Sequence, residues 1–304
     1  MLDLNTLGLP RLFDALTADG SLHRLLAAAR AEELGDVGDV TTASIIDDGR
    51  AVRAVGVARE PGVVAALAAM EHILDAFDCD ADFETSIGDG ERCTAGQPLW
   101  RLAGELAPIL TAERTMLNIV GRLSGIATLT RRYVDEVAGT KAAICDTRKT
   151  TPGMRSLEKY AVRCGGGTVH RLGLYDAVLF KDNHLAHLTP SEFIGAVTTA
   201  CQRARDQYDL RFVEIEVDTL EQLRLVLEGQ PGLIDMVLLD NMPIQQLRTA
   251  VAMRDATGGK VLLEASGRID LRTVRAVAET GVDRISVGAL THGPAWLDVG
   301  LDLT

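Results

Sequence analysis

The stretch FVEIEVDTLEQLRLVLEGQPGLIDMVLLD, residues 212–240, decides the fold. It opens with an apolar run interrupted only by Glu214 and Glu216, continues with the amphipathic segment Leu220–Leu227, and closes with the apolar run Met236–Leu239. A strand, a helix and a second strand in this order place the two strands parallel, because the helix returns the chain to the same end of the sheet. The stretch therefore predicts a parallel sheet covered by helices.

The same rhythm continues on both sides of this stretch. Further candidate strands are Ala142–Cys145, Ala177–Phe180, Val261–Leu263 and Arg284–Val287, and further candidate helices are Ile244–Arg254 and Leu271–Glu279. Apolar strands that alternate with amphipathic helices indicate a sheet covered on both faces. Six or seven such units favour a barrel over an open sheet. We predict an incomplete, TIM-like α/β barrel of about six to seven strands.

The amino-terminal part has a different pattern. Leu22–Leu34 and Gly62–Phe77 are predicted to be helical, and Ala51–Ala58 alternates like a strand. Apolar residues recur at helical spacing over 111–137, which predicts a long helix, broken near Gly125, that joins the two halves. The apolar stripe of this helix fits core packing and a subunit interface equally well.

Composition limits the classes of function. The chain has 304 residues, 47% of them apolar, and a net charge of −12, which argues against binding to nucleic acid or to a membrane surface. The five cysteines are odd in number and scattered, so we expect reduced thiols and a cytoplasmic protein. The sequence shows no leader peptide and no apolar run that could span a bilayer, so we expect a soluble protein.

Charged side chains follow the predicted strands. The five segments concerned are Asp146-Thr147-Arg148-Lys149, Lys181-Asp182-Asn183-His184, Glu214 with Glu216, Asp240-Asn241 and Glu264-Ala265-Ser266-Gly267, and Gly288 closes the sixth strand. The carboxyl ends of barrel strands converge on one face, where the chemistry takes place. For a single strand, a charge that merely marks the exit to solvent is the simpler explanation. Five consecutive strands favour a functional site.

The charges at these ends divide by sign. Arg148, Lys149, His170, Arg171 and Lys181 form a cationic group suited to carboxylates and phosphates, and several hydrogen bonds to charged groups would hold a small polyanion tightly. Glu216 and Asp240 offer hard oxygen ligands for Mg²⁺ or for sugar hydroxyls. The loops at 266–267 and 288–289 would present backbone N–H groups to a phosphate. The sequence contains no P-loop, dinucleotide-binding glycine motif, zinc-protease motif or serine-hydrolase motif.

Several motifs in one order make the sequence recognisable. They are Glu113-Arg114-Thr115, Arg122-Leu123-Ser124-Gly125-Ile126-Ala127-Thr128, Asp146-Thr147-Arg148-Lys149-Thr150-Thr151-Pro152-Gly153, Glu158-Lys159-Tyr160-Ala161-Val162, Gly165-Gly166-Gly167, His170-Arg171-Leu172-Gly173, Lys181-Asp182-Asn183-His184, Leu239-Asp240-Asn241, Leu263-Glu264-Ala265-Ser266-Gly267 and Val287-Gly288-Ala289-Leu290-Thr291-His292. Over nearly the whole chain the sequence resembles the quinolinate phosphoribosyltransferase family. Gly38-Asp39-Val40-Thr41 and Arg59-Glu60-Pro61-Gly62 look like its amino-terminal domain.

The resemblance implies a fold, an assembly and a reaction. It implies an open α/β sandwich over 1–115, with 293–304 packing back on it, and an α/β barrel over 116–292. It also implies a homodimer and Mg²⁺ as cofactor. In the reaction, quinolinate and phosphoribosyl pyrophosphate become nicotinate mononucleotide, pyrophosphate and CO2, a step of NAD biosynthesis.

The resemblance also implies roles for individual residues. It assigns the quinolinate carboxylates to Arg148, His170, Arg171 and Lys181, together with Arg114 supplied across the dimer interface. It assigns pyrophosphate to Lys149 and Lys181, the ribose hydroxyls and the metal to Glu216 and Asp240, and the 5′-phosphate to Ser266, Gly267, Gly288 and His292. Thr147 and Glu264 complete the substrate-binding set, and Lys149, Lys181, Glu216 and Asp240 form the catalytic set.

Two positions depart from the family pattern. Val169 precedes His170-Arg171 where Asn is usual, and Arg268 follows Gly267 where a second glycine is usual. Two other functions remain open at this point. One is a phosphoribosyltransferase of the same fold that acts on a different heterocyclic carboxylate. The other is a non-catalytic phosphate-ester-binding protein.

Overall fold

A computed structural model describes residues 2–47, 49–186 and 188–304. The helices are α1 (Leu9–Thr17), α2 (Ser21–Leu34), α3 (Val40–Ile45), α4 (Met70–Ala76), α5 (Leu106–Glu136), α6 (Arg155–Cys164), α7 (Asp182–Leu185), α8 (Pro190–Gln207), α9 (Leu220–Leu227), α10 (Ile244–Ala256), α11 (Val274–Ala278) and α12 (Ala289–His292). The strands are β1 (Ala51–Ala58), β2 (Gly62–Val63), β3 (Ala81–Thr85), β4 (Arg92–Cys93), β5 (Pro98–Glu105), β6 (Ala143–Cys145), β7 (Val178–Phe180), β8 (Val213–Val217), β9 (Met236–Asp240), β10 (Leu262–Ser266), β11 (Arg284–Ser286) and β12 (Val299–Leu303). No helix in these ranges is long and apolar enough to cross a membrane.

The described residues form two compact units. The barrel unit comprises 2–5, 132–148 and 168–289, and the sandwich unit comprises 6–131, 149–167 and 290–304. Each unit is assembled from separate stretches of the chain. The predicted division into 1–115 and 116–292 stays a prediction.

The barrel unit contains a six-stranded parallel sheet. Its strand order is β6-β11-β10-β9-β8-β7, and a parallel bridge between Cys145 and Thr168 adds a short seventh segment beside β6. Every residue of β8 is buried, which explains why all of its residues except the two glutamates are apolar. The fold is an α/β barrel of six to seven strands, as the sequence predicts.

The seventh segment lies close to the strand at the far side of the sheet. The His170 ring packs edge-on against Phe212 with ring centroids 5.1 Å apart, and Arg211 donates a hydrogen bond to the His170 carbonyl at 3.2 Å. The sheet is therefore curved until its two sides meet through side chains. In the described ranges no strand ladder joins β7 to the seventh segment, so the barrel is incomplete.

The sandwich unit contains a four-stranded antiparallel sheet with the order β12-β1-β5-β3. β12 pairs with β1 from Ala54 opposite Leu303 to Ala58 opposite Val299, so the end of the chain is part of this sheet. Helix α5 belongs to this unit up to residue 131. Its apolar residues, such as Met116 and Leu123, are fully buried.

The sequence prediction for α5 needs one correction, because the helix continues through Gly125 without a break. A Cβ atom at Gly125 would lie 3.0 Å from the Trp296 Cα, and the Gly121 carbonyl accepts a hydrogen bond from the Leu297 N–H at 2.9 Å. The small residues therefore admit the 295–297 backbone beside the helix. The helix prediction for 62–77 is also only partly right, since it covers the short strand β2 as well as α4.

Candidate active site

Strand alternation collects the predicted carboxylates on one face of the barrel sheet. Glu216 pairs with Leu238 on β9, Glu264 pairs with the same Leu238 from the other side, and Ser266 pairs with Asp240. Partners in register share a face, and so do residues two apart along a strand. This face is the barrel interior.

A cluster of charged groups fills the middle of this interior. The His170 Nε2 atom lies 3.0 Å from Glu214 Oε2 and 3.3 Å from Glu264 Oε1. Arg284 donates from Nε to Glu264 Oε2 at 2.7 Å, and the Ser286 hydroxyl also bonds to Glu264. Both glutamates are fully buried. A buried charge requires a partner, and Glu264 has one in Arg284.

The protons in this cluster follow from its contacts. Burial disfavours the charged ring of His170, but Glu264 and Glu214 raise its pKa to about 9. The Nδ1 atom nevertheless accepts the Arg171 N–H at 2.8 Å, so Nδ1 carries no proton here. A backbone N–H keeps its proton, so this hydrogen bond favours the neutral ring. One proton then lies on His170 Nε2 and another on Glu214, whose pKa is raised by burial and by Glu264.

The remaining pair in the cluster is ionic. Burial opposes ionisation of Glu264, but the charges of His170 and Arg284 lower the pKa of Glu264 below its usual value. A neutral His170, a neutral Glu214 and the ion pair of Glu264 with Arg284 leave the cluster without net charge. Potential ligand atoms of His170, Glu214 and Glu264 lie within 4.8 Å of one another. With two of these groups protonated and Arg284 beside the third, the cluster is unsuited to a metal ion.

The backbone around His170 is held by two side chains from elsewhere in the barrel unit. The His170 N–H donates to the buried Asp146 Oδ1 at 2.9 Å. The Asn5 side chain donates to the Val169 carbonyl at 3.0 Å and accepts the Val169 N–H at 2.8 Å. Val169 itself is buried, 1% exposed. The valine at this position therefore leaves the backbone of the segment fully hydrogen-bonded.

Two arginines from different segments lie close enough to affect each other. Arg171 is buried, and burial followed by the nearby charge of Arg148 lowers the pKa of Arg171. Asp176 fixes the loop after Arg171 by accepting the Leu172 and Gly173 N–H groups at 2.8 and 2.9 Å. Two guanidinium groups held together in one barrel are suited to an anion with two negative charges.

The third cation, Lys181, and the carboxylates of Glu216 and Asp240 are also in the barrel unit. Lys181 forms an ion pair with Glu216, which is almost fully buried. Asp240 ends β9, is half-buried, and accepts a hydrogen bond from the Asn241 side chain at 2.6 Å. Two carboxylates on neighbouring strands of one face form a donor set that fits Mg²⁺, which prefers one or two carboxylates plus substrate oxygens.

The loop after β10 is built from residues in the left-handed conformation. Gly267 has φ +100°, Arg268 has φ +48°, and Asn241 in the adjacent loop has φ +52°. A Cβ atom on Gly267 would lie 2.9 Å from the Asn241 backbone nitrogen and closer still to its side chain. Glycine is therefore required at this position by both conformation and space. Ser266, Gly267 and Gly288 are all partly exposed at strand ends.

The other predicted residues belong to the sandwich unit. Lys149 and His292 are exposed, and the Thr291 hydroxyl donates to the Lys149 carbonyl at 2.7 Å. Arg114 is exposed on α5. The structure thus brings the backbone of Lys149 next to the segment that carries His292. Thr147, in the barrel unit, is partly exposed next to Arg148.

Sequence reasoning named Asp146 and Glu214 at the strand ends without giving them a role, and it did not single out Arg284 or Asp176. Glu214, Arg284 and Asp146 form or support the His170 cluster, and Asp176 supports Arg171. For Glu214 a signal existed, because it lies two residues before Glu216 and so shares its face. No spacing rule connects Asp146 or Asp176 to the backbone N–H groups from which they accept hydrogen bonds.

Fold and site together define an α/β-barrel protein with arginine, lysine and carboxylate side chains gathered at strand ends, the arrangement of barrel enzymes that act on small anionic substrates. Comparisons with known proteins specify the family. Residues 126–302 match the C-terminal domain of quinolinate phosphoribosyl transferase, and residues 39–124 match its N-terminal domain. The chain belongs to the quinolinate phosphoribosyltransferase family.

Relatives match over most of their length. The chain is 46% identical over 267 residues to a nicotinate-nucleotide pyrophosphorylase (carboxylating) of Mycobacterium leprae, covering 87% of this chain and 91% of the relative. It is 38% identical to a probable enzyme of the same name from Bacillus subtilis, covering 93% of each. The solved nicotinate-nucleotide pyrophosphorylase of Francisella tularensis superposes with a TM-score of 0.86 at 33% identity and covers 100% of both chains.

Proposed function

We propose that this chain transfers the phosphoribosyl group of phosphoribosyl pyrophosphate to quinolinate and releases pyrophosphate and CO2, leaving nicotinate mononucleotide. The carrying observation is the match of the chain to both domains of the quinolinate phosphoribosyltransferase family, over residues 39–124 and 126–302. Arg148 and Arg171, which belong to the same barrel unit, fit the acceptor. Quinolinate presents two adjacent carboxylates, and two guanidinium groups supply the matching pairs of parallel donors. Membership of the family supports the same reaction.

The site residues divide between the two substrates. We assign the quinolinate carboxylates to Arg148, His170, Arg171 and Lys181. His170 Nδ1 accepts the Arg171 N–H, and Lys181 directly follows β7. Lys149 is assigned to pyrophosphate. Thr147 and Glu264 remain in the proposed substrate-binding set, although Glu264 is fully buried and acts through Arg284 and Ser286.

The carboxylates and the glycine-containing loops are assigned to the ribose and its 5′-phosphate. Ser266, Gly267, Gly288 and His292 are assigned to the 5′-phosphate. Glu216 and Asp240 are assigned to the ribose hydroxyls and to Mg²⁺. When bound, Mg²⁺ supplies charge neutralisation to the leaving pyrophosphate.

The reaction needs no covalent intermediate with the enzyme. As the bond from C1 of the ribose to pyrophosphate breaks, C1 gains positive charge, and the buried carboxylate of Glu216 is suited to stabilise it. The pyridine nitrogen then forms the new bond to C1 and becomes cationic. When the 2-carboxylate departs as CO2, its bonding electron pair stays on ring carbon 2, where the adjacent cationic nitrogen stabilises it, and a proton from solvent then adds to this carbon to complete nicotinate mononucleotide. The arginines bind the carboxylate before it leaves, so they act chiefly by positioning.

The test is an assay of the purified protein with quinolinate, phosphoribosyl pyrophosphate and Mg²⁺, following nicotinate mononucleotide. We expect Arg148→Gln to raise the KM for quinolinate about 10- to 100-fold, because the substitution removes hydrogen bonds between charged groups. Arg203→Gln is the matched control, because Arg203 is exposed on α8 of the same unit. No product from the wild-type protein would refute the proposal. If product forms only with another heterocyclic carboxylate, that compound replaces quinolinate as the acceptor.

We further propose that the enzyme is a homodimer in which Arg114 completes the partner's site. Its exposed position on α5 supports this. The variants Arg114→Ala and Lys181→Ala should each be inactive alone. After mixing and exchange of subunits, about a quarter of the sites should regain activity, because half of the dimers are mixed and one site in each is intact. If mixing restores no activity, Arg114 acts within its own subunit.

We also propose a cytoplasmic location. The five cysteines are all free and buried, as expected for a protein in a reducing compartment. Fractionation of the native cells with an antibody against the protein tests this, and recovery in a membrane or extracellular fraction would contradict it.

A further inference from the structure

A buried ion pair in the sandwich unit holds the segment that carries Lys149. Arg122 on α5 donates from Nη2 to Glu158 Oε1 on α6 at 2.6 Å, and the Glu158 side chain is fully buried. The other Glu158 oxygen accepts the Thr151 N–H at 3.2 Å, and Arg122 Nη2 lies 3.0 Å from the Thr151 hydroxyl. Both members of the pair are therefore bonded to the segment two residues after Lys149.

The same arginine holds the segment that carries His292. Arg122 Nη2 donates to the Thr291 carbonyl at 2.9 Å, while the Thr291 hydroxyl donates to the Lys149 carbonyl at 2.7 Å. Thr291 is fully buried. Two segments that are 142 residues apart in the chain are thus bonded to each other and to one ion pair.

We propose that Arg122, Glu158 and Thr291 are positioning residues that set the separation of Lys149 from His292 for phosphoribosyl pyrophosphate. This inference rests on the proposed function, which assigns these two exposed residues to the pyrophosphate and the 5′-phosphate of one substrate. A lysine is a point charge on a flexible stem, so the place from which it reaches depends on its backbone. The Thr291 hydroxyl bonds to that backbone directly.

Thr291→Val tests the inference, because valine keeps the shape of threonine and removes the hydroxyl. We expect the KM for phosphoribosyl pyrophosphate to rise about fivefold, the factor for one hydrogen bond. The KM for quinolinate should stay within twofold of wild type, because Arg148 and Arg171, to which its carboxylates are assigned, are in the barrel unit. Thr291→Ser keeps the hydroxyl and should restore the wild-type KM for phosphoribosyl pyrophosphate.

Thr130→Val is the matched control. Thr130 is fully buried on α5, and within the described part of the chain its hydroxyl has no hydrogen-bond partner. The same change of side chain should leave both KM values at wild type. Thr151→Val is a second variant at an exposed position, and it should also raise the KM for phosphoribosyl pyrophosphate, since it removes the hydroxyl beside Arg122.

The outcomes separate the inference from the proposed function. If the wild-type enzyme forms nicotinate mononucleotide but Thr291→Val and Thr151→Val leave the KM for phosphoribosyl pyrophosphate unchanged, the inference is wrong and the function stands. The inference is also wrong if both KM values rise equally, or if Thr291→Ser behaves like Thr291→Val. No product from the wild-type enzyme overturns the function and the inference together.

Discussion

Two buried glutamates in the barrel should respond in opposite ways to the same substitution. Glu264 and Glu214 are both fully buried, and both lie beside His170 Nε2. Glu264 is the charged partner of Arg284, whereas burial and Glu264 raise the pKa of Glu214 towards the neutral acid. Glutamine has the shape of a protonated glutamic acid. We therefore expect Glu264→Gln to destabilise the protein and Glu214→Gln to be tolerated.

The size of the difference follows from the contacts. Glu264→Gln leaves Arg284, only 14% exposed, without a counter-charge. Removing one member of a buried pair costs about 3–5 kcal/mol. Glutamine can still accept from Arg284 and Ser286, so we expect a loss near the lower limit, about 3 kcal/mol. For Glu214→Gln the expected loss is about 1 kcal/mol or less, the scale of a neutral hydrogen bond.

Urea unfolding at pH 7, followed by fluorescence and far-UV circular dichroism and extrapolated linearly to water, measures both changes. The proton assignment is refuted if Glu214→Gln loses as much unfolding free energy as Glu264→Gln. That result would mean that Glu214 is ionised and His170 carries two protons, with the Arg171 N–H displaced from Nδ1. A loss below about 1 kcal/mol for Glu264→Gln would refute the ion pair itself.

Three further predictions concern the loops and the thiols. Gly267→Ala should lower the free energy of unfolding by about 1–3 kcal/mol and raise the KM for phosphoribosyl pyrophosphate. The control is Gly232→Ala, at a similar φ of +84° but with open space around it. It should lower the free energy of unfolding by about 1 kcal/mol and leave the KM unchanged. Arg268→Gly should leave the unfolding free energy unchanged or raise it by up to about 1 kcal/mol, because it relieves a left-handed conformation; a loss measured by urea unfolding would contradict this. Burial raises the pKa of Cys79 to about 11, and all five thiols are buried, so a disulfide reagent at pH 8 should react rapidly only after denaturation; rapid reaction of the native protein would contradict the burial.

The sequence predicts those parts of the fold whose residue pattern is determined within a single helix or strand. Ala51–Ala58 and Leu220–Leu227 have the predicted bounds, since strand alternation in the first and an amphipathic face in the second are local properties. The break near Gly125 was wrong because glycine lowers helix propensity by only about 1 kcal/mol, which the burial of the surrounding helix offsets. What Gly125 admits is a segment 170 residues further along the chain, and no local pattern contains that information.

The site was accessible only as a set of residue types at strand ends. Glu216 and Asp240 could be placed on one face because the periodicity of strands is two. Which groups meet across the barrel depends on strand order and curvature. The contact of His170 with Glu214 joins the segment beside β6, at one end of the sheet, to β8, which is next to the strand at the other end. The sequence therefore indicates the cations and carboxylates but not their pairing.

The two departures from the family pattern have different consequences in the structure. Val169 has its side chain buried and both of its backbone groups bonded by Asn5, so this position contributes packing and leaves His170 in place. Arg268 is exposed and holds a backbone conformation that costs a residue with a Cβ atom about 1–2 kcal/mol. Gly267 and Asn241, in the same pair of loops, also have positive φ angles, and a Cβ atom on Gly267 would overlap the Asn241 side chain. Conformation and space at position 267 therefore require glycine, whereas position 268 accommodates the exposed arginine side chain at a cost in backbone strain.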